Sequence, residues 1–66
     1  MSAKYPEIKV RLNGRDGNVF SIIGRVSAAL KAVGLREAAT EFTDRAFEAE
    51  SYDAVLLLCM EYVRVS

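Results

Sequence analysis

Histidine is absent from this chain, and cysteine occurs once, as Cys59. Zinc sites of the usual kinds, and the commonest proton-transfer and nucleophile constellations, cannot be assembled without those residues. Carboxylates are present, but an acid/base pair needs environments that push two pKa values apart inside a cleft. A chain of 66 residues has little volume for one. The expectation is a non-catalytic protein that uses no metal and no cofactor. Long apolar runs are also missing: the longest, Ala54 to Met60, falls well short of the ~20 residues that span a bilayer. No apolar secretory stretch stands near the N-terminus, so a cytoplasmic protein with no membrane partner is expected. Cys59 has no internal disulfide partner and lies within the apolar run, which suits a small buried hydrophobe. An intermolecular bridge or a reactive thiol is the other reading.

Net charge is lacking too, since nine basic and nine acidic side chains cancel. The zero hides two opposed halves. Residues 1–36 carry +5 and residues 37–66 carry −5. Such asymmetry bears on partners and solubility rather than on fold.

What is present is the composition of a folded chain, 52% hydrophobic and 27% charged. Residues 1–66 are expected to form one small domain, structured apart from Met1 to Lys4 and near the size at which a core only narrowly offsets chain entropy. Glu7 to Leu12 alternates, with Ile8, Val10 and Leu12 on one side and Lys9 and Arg11 on the other, which predicts a half-buried strand. Asn13 to Asn18 is turn-rich, and Asn18 or Asp16 stands where a helix cap is needed. Val19, Ile22, Ile23, Val26, Leu30 and Val33 follow helical spacing, with Gly34 at the position after the cap. Gly24 inside that helix predicts a close approach by another backbone. A second helix runs from Leu35 or Arg36 to about Ala49, burying Leu35, Ala38, Ala39, Phe42 and Ala46, with Phe47 at the margin. Ser51 caps a third, apolar on nearly every side, whose stripe is Tyr52, Val55, Leu56, Cys59, Met60 and Val63 and which is expected to be the most buried element. Tyr62 to Val65 alternates again as a short strand beside the first. The fold class is therefore α+β, a β-α-α-α-β chain with a two-stranded sheet packed on two or three helices. An extended strand over 54–65 is the competing assignment.

The strongest pattern lies on the second helix. Glu37, Glu41, Asp44 and Glu48 recur at i, i+4, i+7 and i+11, within roughly 60° on a helical wheel, as an acidic ridge opposite Phe42. Glu50 and Asp53 extend it through the next turn. Two readings follow: a solvated helix face, or a docking surface for a basic groove that normally holds nucleic acid, the carboxylates standing in for a row of phosphates. Lys9, Arg11 and Arg64, joined by Lys4, form an alternative basic face for phosphates, but no aromatic residue is interleaved with them as a stacking platform. Gly14-Arg15-Asp16-Gly17 has GxxG spacing, yet it lacks the Lys-Ser/Thr of a phosphate loop and carries an anion-repelling aspartate, which leaves a turn. Tyr5, Tyr52 and Tyr62 are half-buried core residues or contact anchors, and Phe20 is a staple under the loop or a group open to a partner.

Lys4-Tyr5-Pro6-Glu7-Ile8, Asp16-Gly17-Asn18-Val19-Phe20 running into Ile22-Ile23-Gly24-Arg25-Val26, and Tyr52-Asp53 together resemble a group of short proteins of phages and bacterial mobile elements. The chain departs from that group in an alanine-rich second helix and in Tyr62, where the group has tryptophan. The resemblance implies a phage or bacterial source and a class of role: binding and blocking a host defence complex, as anti-CRISPR proteins do. It implies no functional residues. The partner expected is a host protein or ribonucleoprotein such as a CRISPR effector, met by a monomer or homodimer, with direct nucleic-acid binding as the runner-up.

Overall fold

A computed structural model describes residues 3–12 and 18–65, as strand β1 (Tyr5–Val10), helices α1 (Val19–Ala32), α2 (Arg36–Glu48) and α3 (Tyr52–Tyr62), and strand β2 (Val63–Val65). This is the expected β-α-α-α-β arrangement. The turn-rich segment 13–17, with Asp16 as a cap and the GxxG spacing, lies outside the described residues.

Helix boundaries follow local chemistry. Asn18 begins α1 by accepting the Phe20 N–H at 3.0 Å on its side-chain oxygen. At the other end Gly34 adopts φ +83°, and two backbone bonds close the turn: Gly34 N–H to the Lys31 carbonyl and Leu35 N–H to the Leu30 carbonyl, both 2.9 Å. That is the Schellman arrangement, and it lets α2 start one residue after Leu35. Ser51 caps α3 by accepting the Ala54 N–H at 3.1 Å.

The helices meet in one core. Val26, Leu30, Ala39, Phe42, Cys59 and Tyr62 have no solvent exposure, and Ile22 and Val63 have almost none. Each large apolar side chain so buried contributes about 1.5–3 kcal/mol. Burial also pushes the Cys59 thiol up to about 11, so it is a packing residue.

The two strands pair in parallel, with Tyr5 opposite Val63, Lys9 opposite Arg64 and Val10 opposite Val65. Parallel strands need a long crossover, which the three helices supply. The register slips between Tyr5 and Lys9, a stretch that includes Pro6, whose ring nitrogen has no hydrogen to donate to a ladder. Strand β1 therefore runs over 5–10 rather than 7–12, and Leu12 packs on the core from just beyond it.

The third helix expected after Ser51 is present to Tyr62, against the competing strand over 54–65, and β2 begins at Val63 rather than Tyr62. Two expectations are corrected. Helix α3 is rolled from its predicted stripe: Val55, Leu58, Cys59 and Tyr62 face inward, while Leu57 and Met60 are 65% and 56% exposed. A helix apolar on nearly all sides leaves its rotation to be set by its neighbours, and here Tyr62 sets it. Gly24 is exposed, and a Cβ built there meets nothing within 4 Å, so no backbone approaches it.

The two glycines should respond oppositely to alanine. Gly24→Ala should raise the unfolding free energy by about 0.5–1 kcal/mol in a urea titration, by helix propensity alone. Gly34→Ala should lower it by about 1 kcal/mol or more, because a Cβ is strained at that positive φ. The Cys59 thiol should react with Ellman's reagent only at the rate of global unfolding, which a comparison of native and urea-unfolded protein measures.

Candidate interaction surfaces

Helix α2 turns Ala39, Phe42 and Ala46 into the core. Glu37, Glu41, Asp44 and Glu48 fall on the opposite side and are exposed. The predicted ridge is therefore real as geometry. It is open to solvent and built on one element: Arg36, Thr40 and Arg45 flank it, and all belong to the same helix. Among the described residues no group of three or more acidic or cysteine side chains gathers to hold a metal ion.

The four carboxylates are not equivalent. Glu41 is tied into the fold: it accepts a short hydrogen bond from the Tyr62 hydroxyl, and Lys4 Nζ lies 3.4 Å from the same oxygen. Arg45, one turn on, donates to the Tyr62 hydroxyl at 3.2 Å and pairs with Glu61 at 3.4 Å. The Tyr62 ring is wholly buried, meets the Phe42 ring edge-on with centroids 5.4 Å apart, and lies beneath Lys4 Nζ at 4.8 Å. Tyr62 is thus a core residue whose hydroxyl is covered by the exposed side chains of Glu41 and Arg45 that bind it. The hydrogen bond from Tyr62, followed by Lys4, holds the Glu41 carboxyl below its ordinary value. Burial first, then the bond to Glu41, raises the Tyr62 hydroxyl. The Tyr62 hydroxyl also raises Arg45.

Glu37, Asp44 and Glu48 remain as the outward charges of the ridge. Glu50 and Asp53 are exposed where α2 passes into α3, so they extend the acidic surface around the end of the helix rather than along it.

The basic residues divide as well. Lys9 and Arg64 are register partners, exposed side by side on the outer face of the sheet, and Arg11 is exposed just past the end of β1. Its backbone carbonyl accepts from Arg25 of α1 at 3.2 Å, which brings a further cation beside the end of β1. Sequence reasoning missed Arg25, since helical spacing alone does not say which side of α1 approaches the sheet. Lys4 does not belong to this face. It lies at the start of β1, where its backbone N–H binds the Glu61 carbonyl at 2.9 Å and its ammonium turns to Glu41.

The aromatic groups separate by burial: Tyr62 is core, Tyr5 is half-buried and Tyr52 is 38% exposed. Phe20 and Phe47 are 66% and 59% exposed and touch each other, with centroids 5.8 Å apart. Phe20 is therefore paired with α2 and open to solvent on its other face.

The depressed Glu41 value gives pH dependence a sign. Its contribution to stability is present above the ordinary carboxyl value of 4.5 and is lost as pH falls through the lower folded value. Tyr62→Phe, which keeps the ring and removes the hydroxyl, should shrink the drop in Tm between about pH 7 and about pH 3, read by circular dichroism. An unchanged drop would mean that other carboxylates govern acid unfolding.

Among the described residues no helix is long and apolar enough to cross a membrane. Comparison with known proteins finds no matching family model, no matching curated protein and no matching solved structure.

Proposed function

We propose that this chain is a non-catalytic binding protein that docks the acidic face of α2 on a basic, nucleic-acid-binding surface of a partner. In the setting that the phage resemblance suggests, the partner is a host defence nucleoprotein complex and the protein is an inhibitor of the anti-CRISPR kind. One observation carries the reading: four carboxylates of α2 stand on one exposed side while Phe42 faces the core. Neighbouring carboxylates along such a ridge are about 5–6 Å apart, close to the spacing of backbone phosphates. Like charges at this spacing cost helix stability, and opposite charge on a partner would relieve that cost. An exposed acidic face carried by a single helix suits docking against a basic groove of another molecule. Steering by such a field speeds encounter at low salt.

A second reading rests on the paired cations of the sheet. Lys9, Arg64 and Arg11 offer contacts to phosphates without a stacking surface, which suits a nucleic-acid-binding accessory protein of low sequence preference. Binding of labelled duplex DNA should then weaken with salt at a log–log slope of about −2 to −3 for three phosphates. No binding at low salt removes this reading.

Charge reversal separates the ridge from the fold if Glu41 is spared. Asp44→Lys with Glu48→Lys places cations in the half of α2 whose dipole accommodates them. The variant should keep its thermal melt, and it should lose capture of a nucleic-acid-binding complex from bacterial lysate that the parent retains and that excess DNA displaces. Capture that survives the reversal would show the ridge to be a solvated face.

A further inference from the structure

Beyond the ridge, the structure has an apolar groove at the end of the molecule where α1 and α3 begin and α2 ends. Its floor is Ile23, Ala46 and Val55, and its walls are Phe20, Phe47 and Tyr52. The walls are aromatic and solvent-facing, in a chain small enough that such groups are costly to leave uncovered. Helical spacing continues the strip along α3 through Leu56 to Met60, about 12 Å from Tyr52, with Leu57 exposed beside it. Aromatic residues, Leu and Met gathered without lysine are the composition of an interface centre rather than of ordinary surface.

Charge around the groove selects the occupant. Among the described residues none that lines it is basic, Glu50 stands in its wall, and Glu48 and Asp53, adjacent in sequence to Phe47 and Tyr52, are exposed beside it. A second copy related by a two-fold axis would set these carboxylates against themselves. An anionic lipid surface or a nucleic acid would be repelled in the same way. We propose that this groove binds a basic amphipathic helix of a partner protein, its apolar side chains seated between Phe20, Phe47 and Tyr52 and its cations over Glu48, Glu50 and Asp53. An elongated apolar strip ending in an aromatic pocket is the form that helix-in-groove recognition takes. The groove shares Glu48 with the α2 ridge at its border, but its apolar residues, Phe20, Phe47 and those of α3, lie outside that ridge.

A synthetic amphipathic peptide of about 14 leucine and lysine residues serves as the probe. Titrated into isotope-labelled protein, it should shift the backbone amides of Phe20, Phe47, Glu50, Tyr52 and Leu56 and leave those of Glu37 and Thr40 in place. Phe20→Ser with Phe47→Ser, whose side chains are mostly exposed and whose circular dichroism should match the parent, should weaken binding at least about tenfold. A leucine–glutamate peptide of the same pattern should not bind. Shifts centred on Glu37 to Asp44, affinity unchanged in the double variant, or no shifts at about millimolar peptide would each overturn the proposal. So would sedimentation that shows a dimer abolished by the double variant, since the occupant would then be a second copy.

Discussion

The fold depends on what surrounds one side chain, Tyr62. Its ring is sealed against Phe42 of α2 and roofed by Lys4 from the start of β1, and its hydroxyl joins Glu41 and Arg45 on α2. As the last residue of α3 it also leads directly into β2, with no loop between. One tyrosine therefore sets the roll of α3, the seat of α2 against it and the point at which the second strand begins. A phenylalanine would supply the packing but would leave Glu41 and Arg45 without the group that bridges them. The exposed ion pairs around it are individually weak in such settings, so the buried ring is the firmer half of the contact.

Much of this architecture was legible in the residues. The spacing Val19, Ile22, Ile23, Val26, Leu30 marks α1 because each falls on one stripe, and Gly34 marks its end because only glycine takes that backbone conformation without strain. The α2 ridge was legible for the same reason, its acidic and apolar stripes being opposed. Other features lay beyond periodicity. Nothing in the run from Ala54 to Met60 distinguishes an inward from an outward leucine, so the exposure of Leu57 and Met60 needed the packing partners. The internal role of Glu41 was hidden as well, because a wheel projection shows direction but not the tyrosine waiting twenty-one residues later. Gly24 misled because glycine in a helix suggests contact, and the space beside it is open.

The two charged halves of the chain do not map simply onto two charged faces. Lys4 comes from the positive half yet stands against the acidic helix, and Arg64 comes from the negative half yet completes the basic sheet. Pairing of the outermost strands brings about this exchange. What results is a molecule with an acidic helical side, a cationic sheet side and an aromatic end, each built on a different element. A dipolar surface of this kind orients the protein in the field of a charged partner before contact is made.

The parallel strand pair also bears on how the chain is made. Strand β1 is synthesised before the three helices, and β2, its partner among the described residues, after them. Until then Ile8 and Val10 have no sheet to join, and Tyr62 cannot take its place on Phe42. Completion of the sheet therefore waits on synthesis of β2, and a nascent chain halted before Val63 would display an unpaired strand to the cell's chaperones and proteases.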